Sequence, residues 1–456
     1  MRHVELRTVI EINQKDIDAV ENMAAQLLDK VGLGLDLHEG LQRLAGHPYT
    51  RLKNNRVFFD GDYILEILAS LHRPLPESAN HPLRVSAGGG ALDILDHRTS
   101  ELRKPSMDDL LLTLRVCDRL GLGGDPPVIP ADVPMPLREL ILFRLAWENT
   151  REFTGRDITT LTSGEYIFEM AQVTGKSVNI PLYLINPLRV NSENLALILH
   201  FADRLPSLSL STMPMPGATA PLLAPGYLAQ TLAEMIGGYT LLSILFPKKN
   251  VSFGGKVLAF SPYTGSIACG SPESLLQGQM EITLLSRYGI LPTHFFWSMA
   301  GGCDLQAAAE RMAGVLMGAL AGVRSFGVAG RLQGEAFSLE MLLIDLEIAA
   351  YVERLLQGQA WDMQDTAWLS EIQEAIRAGT FLGVSSTAEH YRQEITKPAL
   401  FTRMTLSQRQ ANDEKSLRER IQERLQSLNI PPPEYLSPEV KAELSRICRH
   451  AEMHLC

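Results

Sequence analysis

Cysteine is scarce in this 456-residue sequence, and what there is does not pair. Cys117, Cys269, Cys303, Cys448 and Cys456 are odd in number, far apart, and form no CxxC or Cys/His pattern with metal-ligand spacing. A disulfide framework and a structural zinc are therefore not expected. Eighteen consecutive apolar residues occur nowhere, and MRHVELRTVIEINQKD at the amino terminus has no long apolar stretch. Neither a membrane span nor a secretory leader is indicated, and the chain is expected to be cytoplasmic. An excess of positive charge is also missing: the formal net charge is −10. Nucleic-acid affinity comes mainly from neutralising phosphates, so a nucleic-acid partner is not expected. GxGxxG, GxxxxGK[ST] and HExxH are absent as well, which argues against a dinucleotide fold, a P-loop and the zincin type of metal hydrolysis.

What is present is an ordinary globular composition, 45% hydrophobic and 21% charged, on a chain longer than one simple core usually organises. Residues 1–105 read as a mainly helical cap. IDAVENMAAQLLDKVGLGLD spaces Val20, Met23, Ala24 and Leu27 as an amphipathic helix ending in glycines, and LRVSAGGGALDILD alternates like a hairpin around its glycines. From about residue 176 the pattern becomes regular. VNIPLYLIN, SLSLSTMPM, NVSFGGKVLAF, PTHFFWSMA and VRSFGVAG each read as a strand and each precedes a helical segment. Near-continuous apolar strands with helical crossovers imply a parallel sheet buried on both faces. PPVIPAD and REFTGRDITTLT supply further strands. The expected fold is α/β, a (β/α)8 TIM barrel over residues 106–385, with an N-terminal helical cap region and a C-terminal helical extension over 386–456 packed on the barrel.

Barrels place their chemistry at the carboxyl ends of strands and in the loops that follow. The downstream loops are rich in glycine and aromatics. Phe253, Tyr263, His294, Phe296 and Trp297 are candidate substrate-binding residues, because aromatic faces attract a quaternary ammonium without hydrogen bonds. Strand alternation sets His294 and Phe296 on one side and Phe295 and Trp297 on the other, and only one set lines a pocket. Asp304 reads either as a helix cap or as a counter-ion to a substrate cation, and Gln306 and Glu310 share a helix face. Glu335 is a second candidate counter-ion. Lys256, beside a strand end, reads either as a surface lysine or as a Schiff-base nucleophile of a lyase or aldolase.

MPMPGATAPLLAPGYLAQTLAEMIGG at 213–238, then GSPESLL, DLQAAAE, FSLEMLLIDLEIAAYVERLLQG and EHYRQEITKPALFTR occur in the same order as in the trimethylamine methyltransferase family. The chain resembles that family, and with only ordinary residues it is similar to the branch without pyrrolysine, whose activities concern quaternary amines such as glycine betaine. The resemblance implies a methyltransferase that moves a methyl group from a methylated amine to Co(I) of a corrinoid protein. The corrinoid (cobalamin) would then be carried by that partner and no cofactor bound directly. A quaternary nitrogen leaves as a neutral amine, so the demand on the protein is positioning rather than acid–base catalysis. No residue is singled out as catalytic, and no metal site is expected. A homologue that binds amines without turnover is the remaining reading; barrels of this size often self-associate.

Overall fold

The computed structural model describes residues 12–75, 81–153, 155–359, 367–428 and 431–455. Its frame is a set of parallel strands: β1 (Arg84–Ala87), β2 (Gly123–Gly124), β3 (Pro181–Ile185), β4 (Leu208–Thr212), β5 (Val251–Gly255), β6 (His294–Phe295) and β7 (Ser325–Ala329). The ladders form two arcs. In one, β6 pairs with β7, β7 with β1 and β1 with β2, and Gly124 of β2 bridges in parallel to Phe153. In the other, β4 lies between β3 and β5, with Leu210 opposite both Leu182 and Phe253. Among the described residues no ladder joins β5 to β6 or Phe153 to β3. The chain is thus an α/β protein of parallel sheets with helices between the strands.

All five strand–helix pairs read from the sequence are present. Helices α1 (Gln14–Lys30), α2 (Met107–Arg119), α3 (Ala224–Leu245), α4 (Pro272–Ser286), α5 (Leu305–Leu320) and α6 (Leu339–Leu356) carry the layer that matters for the site. Their starts follow from local chemistry, since a side-chain oxygen at the cap satisfies an amide the helix leaves free. Ser271 accepts from Ser274 N at 3.2 Å, Asp304 from Ala307 N at 2.9 Å and Ser338 from Met341 N at 3.2 Å. Helix α3 is apolar all round because it is covered on all sides. By length and composition it alone among the described helices is apolar enough to cross a membrane, yet 78% of its most apolar window is buried in the fold, partly under α1. Such a pattern marks a core helix.

The amino-terminal third departs from expectation. LRVSAGGGALDILD is not a hairpin about its glycines. Arg84–Ala87 pairs in parallel with β7 instead, so a member of the parallel sheet lies ahead of the boundary expected at residue 105. The short antiparallel pair there is Asp93–Leu95 with Leu102–Arg103. The region is also less helical than its periodicity suggests: Leu33–Gly34, Thr50–Lys53 and Arg56–Phe59 form a ribbon that reaches β3 through Arg189–Val190. At the other end, the carboxy-terminal helix Pro438–Leu455 buries Leu444, Ile447 and Ala451 against the helix Leu161–Thr174.

Candidate active site

The carboxyl ends of β1, β2 and β7, and the turn after Phe153, bring four charged side chains together. Gly88, Gly89 and Gly90 follow β1, Asp125 follows β2, Arg156 and Asp157 follow Phe153, and Arg331 follows β7. The glycines explain the assembly. A Cβ at Gly88 would land on the Arg331 side chain, one at Gly89 on Asp125, and one at Gly90 on the Arg156 guanidinium. Gly90 also has φ +69°, a conformation that costs other residues roughly 1–2 kcal/mol. Each charged side chain therefore crosses the loop where a side chain is missing. Arg156 Nη1 donates to Gly90 O at 3.1 Å, and Arg331 Nη1 donates to Gly89 O. From β3, the Tyr183 hydroxyl donates to Asp157 Oδ1 at 2.7 Å.

The electrostatics are those of a crowded, two-signed cluster. Asp125 is reached by solvent, yet the protein packed around it and the neighbouring Asp157 raise its carboxyl, against Arg156 and Arg331. Burial and then the charge of Arg156 lower the Arg331 guanidinium to about 10. Its Nε has no hydrogen-bond partner. Burial, then Asp157, raise the Tyr183 phenol. A buried donor left without an acceptor costs about 1–3 kcal/mol, and Arg331 carries that cost at its Nε.

Two buried networks hold this rim. Arg311 donates to both oxygens of Asp345 at 2.9 and 2.7 Å, and both side chains are wholly buried. Asp345 Oδ2 accepts from Gly330 N at 2.7 Å, while Arg311 Nη2 donates to Arg331 O. The pair thus fixes the backbone on which Arg331 stands. Across the sheet, Glu234 of α3 accepts from Leu188 N at 2.8 Å and Gln230 Nε2 at 3.0 Å, and from Asn186 and Thr212. It ties the end of β3 to the end of β4. Burial raises its carboxyl and these four donors oppose the rise.

The residues expected from the sequence scatter. Phe253 turns to the helical layer, its ring 5.6 Å from Tyr239 and 6.1 Å from Tyr288. Tyr263 is 98% exposed at the tip of a turn. Phe296 is fully buried beside Phe326, so the alternate set, Phe295 and Trp297, is the one not packed into the helical core. Asp304 is exposed and serves as the α5 cap. Gln306 is exposed and donates to Glu310 Oε1 at 2.9 Å. Glu335 is exposed, and its carbonyl accepts from Leu92 N at 3.1 Å.

Lys256 is not a surface lysine. It is 6% exposed, with Nζ 3.2 Å from His294 Nδ1 and 3.9 Å from Glu281 Oε2. The ammonium stands 5.5 Å from the Phe295 ring centroid and 5.9 Å from that of Trp297. Burial, then the charge of Lys256, hold His294 well below its usual range, so His294 is neutral and an acceptor here. A glycine at 278 and another at 318 give its ring room between α4 and α5. Among the expected residues, only His294 and Trp297 are thus brought together, through Lys256.

Sequence reasoning missed Asp125, Arg156, Asp157, Tyr183 and Arg331. Three of them lie in or beside PPVIPAD and REFTGRD, segments that read as strands and carry no motif pointing to chemistry at their ends. Arg331 opens the RLQGEAF loop, in which Glu335 is the residue that reads as a counter-ion.

Charged groups of both signs at the carboxyl ends of parallel strands define an α/β protein with an enzyme-type site. Over residues 3–453 the chain matches the model of the Trimethylamine methyltransferase (MTTB) family, and it belongs to that family. Glycine betaine methyltransferase of Desulfitobacterium hafniense (strain Y51) is 24% identical over 468 residues, covering 95% of each chain. Trimethylamine methyltransferase of Methanosarcina barkeri is 30% identical over 181 residues, 39% of this chain and 36% of that one. In fold, the chain is similar to the solved monomethylamine methyltransferase of Methanosarcina barkeri, with a TM-score of 0.50 at 12% identity over 98% of this chain and 88% of that one. The protein is a methyltransferase, and its chemistry is methyl transfer from a methylated amine.

Proposed function

We propose that this enzyme takes a methyl group from a quaternary amine that also bears a carboxylate, and delivers it to Co(I) of a corrinoid carried by a separate protein. We propose with it that the two arcs of strands are staves of one closed (β/α)8 barrel, with Phe153 marking the remaining stave. The observation that carries the substrate reading is the gathering of Arg156, Arg331, Asp125 and Asp157 around one glycine loop. Guanidinium groups suit a carboxylate through paired N–H donors. Carboxylates on the same rim suit the ammonium end, whose methyl groups offer no hydrogen bonds. The likeness to glycine betaine methyltransferase along 95% of the chain agrees with a zwitterionic substrate.

The corrinoid, when presented, supplies a strong cobalt nucleophile; the rest of the task falls to this chain. Arg331 and Arg156 hold the carboxylate and so fix where the N-methyl carbons lie. Asp157, oriented by Tyr183, and Asp125 balance the quaternary charge in the ground state. As the C–N bond breaks its electron pair returns to nitrogen, and a neutral tertiary amine leaves without a proton donor. Orientation of this kind is worth several kcal/mol of barrier.

The test is to incubate the protein with glycine betaine and a reduced corrinoid protein and to follow cobalt methylation by absorbance, with trimethylamine and tetramethylammonium in parallel. Transfer from the betaine alone is expected. Silence across a panel of carboxylate-bearing quaternary amines, or equal transfer from tetramethylammonium, would overturn the reading.

A further inference from the structure

At the opposite end of the strands, ahead of β2 and Phe153, a cleft of about 630 Å³ carries an unbalanced positive charge. Arg115 and Arg119 reach it from α2, Arg151 from the turn that leads to Phe153, and Pro431, Pro432 and Pro433 form a wall. Arg115 and Arg119 lie one helical turn apart on one face, and like charges at that spacing repel. Helix dipole chemistry explains a cation at 119, near the carboxyl end of α2; it does not explain Arg115 or Arg151.

The single carboxylate lining the cleft is already committed. Asp118 Oδ1 accepts from Arg151 N at 2.9 Å and Oδ2 accepts from the Tyr435 hydroxyl at 2.6 Å. Two of the arginines are meanwhile held in place. Arg115 Nε donates to Asn149 Oδ1 at 2.9 Å, and Asn149 is itself only 5% exposed and donates to Leu145 O at 2.9 Å. Arg151 lies over the Tyr435 ring at 5.2 Å, with Nε 3.1 Å from the hydroxyl. Arg115, Arg119 and Arg151 thus line one cleft, three guanidinium groups against one occupied carboxylate.

We propose that this cleft is a second binding site, remote from the methyl-transfer site, for a small phosphate-bearing anion. Planar guanidinium forks bind phosphate as well as carboxylate in pairs, and three of them in one cleft match the multiple charge of a phosphate-bearing anion better than that of a single carboxylate.

Calorimetric titration of the full chain with pyrophosphate tests it, at constant ionic strength set by chloride. Wild type is expected to bind, and Arg115→Gln/Arg119→Gln to bind at least about tenfold more weakly; Arg119→Gln, which leaves the hydrogen bond between Arg115 and Asn149 in place, is expected to weaken binding while keeping the wild-type unfolding temperature in chloride. Arg331→Gln is expected to bind as wild type does. The proposal falls if no heat of binding appears, if the double variant binds equally, or if Arg331→Gln abolishes binding and so places the anion in the methyl-transfer site.

Discussion

The guanidinium of Arg156 occupies the place where a side chain on Gly90 would be, and it donates a hydrogen bond of 3.1 Å to the carbonyl of that same glycine. Substrate-site geometry and backbone conformation are therefore one property at this loop. Gly90→Ala must both strain a left-handed residue and evict Arg156. Gly46, at φ +86° with nothing within 4 Å of a built Cβ, separates the two effects. Gly46→Ala is expected to lower stability by about 1 kcal/mol with an unchanged KM. Gly90→Ala is expected to raise KM for the methylated amine about tenfold or more, and equal KM values for the two variants would contradict the assignment.

Arg331 comes from another loop and crosses the same glycine turn at Gly88. Arg331→Lys keeps the charge and removes the fork. Steady-state kinetics are expected to show a rise in KM of about ten- to a hundredfold for a carboxylate-bearing amine, with kcat altered much less; a fall confined to kcat would place Arg331 elsewhere in the mechanism.

The backbone under Arg331 depends on a buried ion pair. Asp345→Ala strands Arg311 without a counter-charge, and breaking such a pair costs about 3–5 kcal/mol. Replacing both, as Arg311→Met/Asp345→Leu, is expected to recover most of that in urea unfolding while KM stays raised, because Gly330 and Arg331 have lost their anchors. Recovery of KM together with stability would show that the pair only fills space.

How much of this was legible in the sequence differs by region. The five strand–helix units after residue 176 were readable because buried parallel strands and amphipathic helices impose distinct periods. Ser271 and Asp304 announced their helices by residue type alone. The strand Arg84–Ala87 is not readable, since its partner, Ser325–Ala329, lies more than two hundred residues away and its glycines mimic a turn. The two readings of Lys256 cannot be separated in the sequence for a related reason: what buries it, His294 and Glu281, comes from other elements. The site glycines were visible, but their meaning lies in side chains that reach them from three other strand ends.

Acid should expose another charged cluster. Burial would raise the Asp109 carboxyl, but hydrogen bonds from Arg103 and Ser106 win and lower it from 3.8 to about 2. A depressed carboxyl stabilises the fold above the unfolded value, and that contribution is lost as pH falls from about 4 through 2. Arg103 is 40% exposed, so solvent screening reduces the effect to about 1 kcal/mol. Urea midpoints for wild type are expected to fall between pH 5 and pH 2.5 more steeply than those of Asp109→Asn. Parallel curves would show that Asp109 does not drive the loss.

Lys256 places an ammonium of the chain's own against Phe295 and Trp297. Those two rings have in effect been furnished with a tethered, permanent guest, and an alkylammonium arriving from solution would meet its repulsion before their attraction. Under the proposed function, discrimination among amines falls instead to Asp125 and Asp157, whose attraction, unlike that of an aromatic face, is screened by salt.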